Sequence, residues 1–276
     1  MNTNESYIEV APGVELFIQE TGTGDPLVFI PGFTFTTEVF SEQVKHFSKT
    51  HRTIVIDPRS HGRSTMTVHG NDYVTHGTDL QKVLKELKVE NPTLVGWSFG
   101  CLTVWEYIRQ FGSDEIKSLI LIDMPPKSLS LKEDEDWVEG PLDDLAAAYT
   151  NYLRHPKGQR EFISAYATGV MVQRELKKEE LTWMVEQSLK TPYYIASNLF
   201  SSGLFSDYRK EAAQSSGSVP TLFVVAEHWG ETATAYLNKL TPSASVKTLG
   251  GHLMFWEHCE KFNQIVERFL GESASN

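Results

Sequence analysis

The stretch Thr93-Leu94-Val95-Gly96-Trp97-Ser98-Phe99-Gly100-Cys101-Leu102 constrains the fold more than any other part of the chain. It reads as a short apolar strand, a sharp turn holding a serine between two glycines, and the start of a helix. The turn has the form G-x-S-x-G. Glycine and serine are common in any turn, so the pattern gains meaning from its strand–turn–helix setting. A serine on such a turn lifts its hydroxyl above the sheet, and Gly96 and Gly100 remove side chains that would clash at the tight crossing. The following helix aims its positive end at the serine. The N–H of Phe99 is then placed to stabilise negative charge on a nearby oxygen. Ser98 is the candidate nucleophile and Phe99 a candidate oxyanion donor.

The rest of the chain supplies a matching frame. Residues 7–11 and 15–21 read as an antiparallel hairpin around Pro12-Gly13. Leu27-Val28-Phe29-Ile30 reads as a strand buried on both faces and ends at Pro31-Gly32-Phe33-Thr34. The loop after this strand supplies the second oxyanion donor of an elbow site, here the N–H of Phe33, joined by that of Thr34. Residues 37–48 and 72–87 have helical apolar spacing. Residues 53–56 form another apolar strand, leading into Asp57-Pro58-Arg59-Ser60-His61-Gly62-Arg63-Ser64. His61 is read there as a brace of the turn, without a catalytic role. Leu119-Ile120-Leu121-Ile122 is a further buried strand and ends in Asp123.

After Pro126 the alternation stops. Helix-like segments at 142–153, 158–172, 178–189 and 192–205 carry many aromatics and no strong strand signal. The division expected is a core of residues 1–125 and 217–276 and a helical cap of residues 126–216, with Ser215-Ser216-Gly217-Ser218 as the hinge back to the core. Most cap aromatics belong to helix packing, and a minority face the serine as an acyl or ring pocket. The substrate-contact candidates are Phe33, Thr34, Trp97, Trp137, Trp183 and Trp229. Strands at 220–226 and 246–249 follow, then Gly250-Gly251-His252 and an amphipathic helix at 262–270.

Composition narrows the partners. A formal net charge of −11 argues against nucleic acid and anionic membranes. No run approaches the 18 or so apolar residues of a membrane span, and residues 1–5 lack a signal peptide's apolar core. The two cysteines, Cys101 and Cys259, have no metal-ligand spacing, and a reducing cytoplasm is the expected setting. With no phosphate-cradling loop or dinucleotide fingerprint, no cofactor or metal is expected. The expected partner is a small-molecule substrate.

Taken together, Pro31-Gly32-Phe33, the Asp57-to-Ser64 loop, Gly96-Trp97-Ser98-Phe99-Gly100 and Gly250-Gly251-His252 resemble the α/β-hydrolase superfamily over nearly the whole chain. The resemblance implies a mostly parallel, twisted eight-stranded sheet with helices on both faces and a helical cap. It implies Ser98 as nucleophile, His252 as general base, and Phe33 and Phe99 as the oxyanion-hole residues. A serine hydroxyl is a poor nucleophile until a base takes its proton, and imidazole titrates in the right range. Of the nine histidines, His252 is the one that follows the last strand after a Gly-Gly turn. The acid departs from the common pattern, because the usual position in the loop after Ala226 is held by Trp229. Asp123, at a position some members use, is preferred over Glu227 and Glu231.

The expected activity is hydrolysis of a small, moderately hydrophobic carboxylic ester, lactone or thioester through an acyl-enzyme. The alternatives are a cofactor-free dioxygenase of the 3-hydroxy-4-quinolone type, a perhydrolase, and a non-catalytic ligand receptor. Epoxide hydrolase and haloalkane dehalogenase chemistry fit poorly, because those relatives carry Asp where this chain has Ser98.

Overall fold

The computed structural model describes residues 3–130 and 137–273. Eight strands form one sheet: β1 (Thr3–Ala11), β2 (Val14–Thr21), β3 (Pro26–Ile30), β4 (Arg52–Ile56), β5 (Thr93–Trp97), β6 (Ser118–Ile122), β7 (Thr221–Val225) and β8 (Ser245–Thr248). Their order across the sheet is β1-β2-β4-β3-β5-β6-β7-β8. The β1–β2 and β2–β4 pairs are antiparallel and all others parallel. A parallel pair cannot be closed by a hairpin, so helical crossovers must cover both faces.

That is why β3, β5 and β6 read as unbroken apolar runs. Val28, Ile30, Leu94, Leu119 and Leu121 pack on one face with α2 (Tyr73–Glu86) and α3 (Gly100–Phe111). The alternate residues Leu27, Phe29, Val95, Trp97, Ile120 and Ile122 pack on the other face with α1 (Ser41–Phe47) and α10 (Cys259–Ser273). The mostly parallel eight-stranded architecture expected from the sequence is the one observed. Among the described residues, no helix is long and apolar enough to cross a membrane.

Between β6 and β7 the chain forms α4 (Leu142–Tyr152), α5 (Pro156–Tyr166), α6 (Lys178–Ser188), α7 (Tyr193–Leu204) and α8 (Arg209–Ser218). Two details correct the sequence reading. The expected helix 158–172 stops at Tyr166 and continues as a π-helical turn, Ala167–Met171. The expected hinge Ser215-Ser216-Gly217-Ser218 is instead the last turn of α8, which packs against α3 and α9 (Gly230–Leu240). Ser215 and Ser216 are buried there, and the Ser215 hydroxyl donates back to the Ala212 carbonyl. Serine-rich composition reads as a flexible linker, but the face buried against α3 and α9 makes it helix, although serine side chains that bond the backbone locally disfavour one.

Candidate active site

The parallel strands aim their C-terminal ends at one edge of the sheet, the place where open α/β sheets bind ligands. Ser98 sits just past β5 with φ +53°, the left-handed conformation that only a constrained turn imposes on a residue with a side chain. Its N–H donates to the Ile122 carbonyl at 2.8 Å, which ties the turn to β6. The backbone of the Gly32 loop passes so close that a Cβ at Gly32 would lie 2.8 Å from the Ser98 Cβ.

Asp123 ends β6, also in the left-handed region, at φ +48°. One carboxylate oxygen, Oδ1, accepts the N–H of Ala226 at 2.8 Å, and Oδ2 lies 2.6 Å from His252 Nδ1. Both side chains are buried. The carboxylate accepts the Nδ1 proton and so leaves Nε2 as the basic nitrogen of the ring. Further bonds fix the histidine backbone. The Trp97 indole N–H donates to the His252 carbonyl at 2.9 Å, and the His252 N–H donates to the Val170 carbonyl at 3.1 Å.

Neither alternative acid joins this pair. Glu227 accepts a bond from the Gln173 amide at 2.9 Å, and that hydrogen bond holds its carboxyl below the usual range. Glu231 is exposed in a separate depression beside Thr234 and Asn238. Trp229 is half-buried and packs against the core on both faces of the sheet.

Ser98 and His252 line one narrow cavity of about 60 Å³ with Phe33, Phe35, Trp97 and Phe99 from the core. Leu145, Phe162, Ile163, Tyr166, Phe200 and Leu204 close it from α4, α5 and α7. Their sequence signal is the i, i+4 pairing of Phe162 with Tyr166 and of Phe200 with Leu204. That pairing marks a helix stripe but does not say which stripe faces the serine. Glu139 and Met171 also line the cavity, and no sequence motif distinguishes them.

Among the described residues, neither the Phe33 N–H nor the Phe99 N–H has a hydrogen-bond partner, and their rings meet edge to face at 5.7 Å. Thr34 differs and corrects its assignment. Its N–H is taken by His61 Nε2 at 3.1 Å, and its buried hydroxyl bonds the Phe33 carbonyl, away from the cavity. Trp183 is also displaced from the proposed pocket. It stacks on Trp256 with centroids 5.7 Å apart and donates to Glu38 at 3.3 Å. Trp137 is buried in the wall of a neighbouring, larger cleft, which Trp229 also lines.

His61 braces the loop after β3. Its Nδ1 proton goes to the Arg59 carbonyl at 2.9 Å, leaving Nε2 free to accept from Thr34. Burial pushes its pKa down to about 4, because protonation would place a charge in the core, against the opposing pull of its bond to the Arg59 carbonyl. The unfolded chain therefore binds a proton at this residue between about pH 6.5 and pH 4 that the folded chain refuses, so folding stability falls as pH drops through that window. The loss from His61 is about 3 kcal/mol, from a pKa lowered from 6.5 to about 4. Buried His76, whose ring centroid lies 5.9 Å away, is shifted in the same direction and steepens the fall. Urea unfolding at pH 7, 5 and 4 is expected to show this slope, and His61→Gln, which keeps an acceptor but does not titrate, should make it shallower.

A sequence model of the α/β hydrolase fold family matches residues 25–268. The chain belongs to this family. It is 23% identical to a putative non-heme chloroperoxidase of Synechocystis sp., over 93% of this chain and 95% of the relative. The fold matches a bromoperoxidase from Bacillus anthracis with a TM-score of 0.88 at 20% identity, covering 97% of this chain and 100% of that one. An esterase from Exiguobacterium antarcticum matches with a TM-score of 0.86 at 19% identity and the same coverage. The chain is thus an α/β-hydrolase enzyme.

Proposed function

We propose that this α/β hydrolase cleaves small carboxylic esters, lactones or thioesters by a Ser98–His252–Asp123 triad. The observation that carries the reading is the 2.6 Å contact between His252 and Asp123 at the wall of the cavity that also exposes Ser98. His252 Nε2 takes the Ser98 proton as Oγ attacks the carbonyl carbon. The carbonyl oxygen gathers negative charge, and the unpartnered N–H groups of Phe33 and Phe99 bind it. The imidazolium, stabilised by Asp123, then gives its proton to the departing oxygen or sulfur. Water, activated by the same imidazole, attacks the acyl-Ser98 carbonyl and releases the acid. An aromatic cavity of about 60 Å³ suits a short acyl chain or a small ring close to the serine. In this reading helices α4 to α7 act as the cap.

Incubation with a fluorophosphonate should add one phosphonyl group, located by peptide mass at Ser98, and abolish p-nitrophenyl acetate turnover in parallel. Folded protein that neither labels nor turns over the ester would sink the acyl-enzyme mechanism. A second reading draws on the peroxidase names among the relatives. If hydrogen peroxide replaces water, its oxygen attacks the acyl-Ser98 carbonyl, Oγ leaves with the proton returned by His252, and a peroxyacid forms. Bromide oxidation that requires both a carboxylic acid and hydrogen peroxide, and that disappears on phosphonylation, would mark this activity.

A further inference from the structure

Two cavities meet at His252. The one over Ser98 is small and apolar. The second, of about 780 Å³, opens from the flank where His252 meets Asp123. Trp137, Tyr166 and Trp229 line it, together with Glu139 and Glu175. His252, Tyr166 and Glu139 border both cavities, so they stand where the two halves of an ester would part.

The charge of this cleft is one-sided. Arg174 also lines it, but its guanidinium is held by both oxygens of Glu180, at 2.7 and 2.9 Å, and lies 5.3 Å over the Trp256 ring. His228 is on the wall too, and burial lowers its pKa, which favours the neutral ring. What remains is acidic. Glu139 is the carboxyl nearest the chemistry. Its backbone N–H is anchored to the Ser128 carbonyl at 2.9 Å, beside the short pairing of Leu129–Ser130 with Gly140–Pro141. Among the described residues its carboxyl receives no hydrogen bond. The residue retains intermediate exposure because it borders the cavities, yet it is deep enough that burial pushes its pKa up to about 7, against the opposing pull of His252. A poorly solvated carboxyl facing a cavity rimmed by tryptophan and tyrosine rings is suited to one chemistry above others. A cation satisfies the carboxylate by charge and the ring faces by their quadrupoles.

We propose that the substrate's leaving group carries a positive charge, as in an ester of a quaternary-ammonium or amino alcohol, and lodges in this cleft against Glu139 while the acyl group occupies the apolar cavity. This rests on the acyl-enzyme reading above. The leaving oxygen takes its proton from His252, so the alcohol departs beside that ring, on the side where the cleft opens. The carbonyl C–O bond breaks as Ser98 Oγ becomes acylated.

The test compares acetylcholine with 3,3-dimethylbutyl acetate, esters of the same shape that differ in one charge, at pH 8, where Glu139 is mostly ionised. The kcat/KM ratio of charged to neutral ester should be about tenfold or more in the wild type, expressed in KM, and should fall below about threefold in Glu139→Gln. Trp229→Leu should also lower the ratio, which guards against a fold defect peculiar to the first variant. A wild-type ratio near one, or a ratio unchanged by Glu139→Gln, overturns the inference while leaving the hydrolase intact. Failure to turn over either ester, together with no phosphonylation of Ser98, overturns both readings.

Discussion

Ser98→Ala is expected to lower ester turnover about 10⁶-fold and Asp123→Asn about 10⁴-fold, each in protein that folds normally. The two losses differ because the roles differ. Alanine removes the atom that becomes acylated, and it inherits a backbone conformation, φ +53°, that serine already tolerates at the same steric cost. Asparagine keeps an oxygen for the Ala226 N–H but turns an amide N–H₂ toward His252 Nδ1. The ring then carries its proton on Nε2, where it cannot accept the serine proton. The imidazolium also loses its counter-charge. Glu227→Gln and Glu231→Gln should stay within about twofold of wild type, since neither carboxyl approaches the imidazole. The checks are kcat on p-nitrophenyl acetate and near-ultraviolet circular dichroism on the same samples. Activity that survives Ser98→Ala would instead point to base chemistry by the His252–Asp123 pair alone, as in the cofactor-free dioxygenase alternative. A large loss in Glu227→Gln would move the acid to the loop after β7.

What the sequence revealed and what it hid follow the range of the interactions involved. The elbow, the Pro31-Gly32-Phe33 loop and the Gly250-Gly251-His252 turn are local solutions to local steric problems, so a few consecutive residues encode them. The alternation of apolar strands and amphipathic helices likewise follows from burying both faces of a parallel sheet. The sequence prefers Asp123 over Glu227 and Glu231 without deciding between them, because adjacency to His252 depends on how β6, β7 and the last loop stand side by side. Thr34 carries the right residue type in the right loop, yet its N–H is claimed by His61, 27 positions away. Trp183 and Phe200 look alike as helix aromatics. One stacks on Trp256 at the surface and the other lines the cavity, a difference set by how α6 and α7 roll against the core. The helix α8 was hidden by its serines, and Glu139 lies in a stretch with no periodicity at all.

The elbow's dependence on glycine leads to the largest expected effect on stability. Gly100 opens α3 directly beneath the end of β3. A Cβ there would lie 2.3 Å from the Ile30 carbonyl oxygen and 2.7 Å from that of Pro31. Both obstacles are backbone atoms at the end of a strand hydrogen-bonded to β5 and β4, so no side-chain rotation relieves them. Relief requires α3 to move off the sheet, and α3 carries Leu102, Val104, Trp105 and Ile108 in the core. Gly100→Ala should therefore cost about 4 kcal/mol or more, a large share of the roughly 5–15 kcal/mol that holds a typical domain together. The opposite sign is expected at Gly217, inside α8, where an added methyl group would meet nothing within 4 Å and φ is not positive. Gly217→Ala should stabilise by up to about 1 kcal/mol through helix propensity. Urea midpoints of the two variants decide the matter. A Gly100→Ala midpoint close to wild type would mean that the strand–helix crossing has slack, and the tight elbow that lifts Ser98 above the sheet would then need another explanation than steric closure.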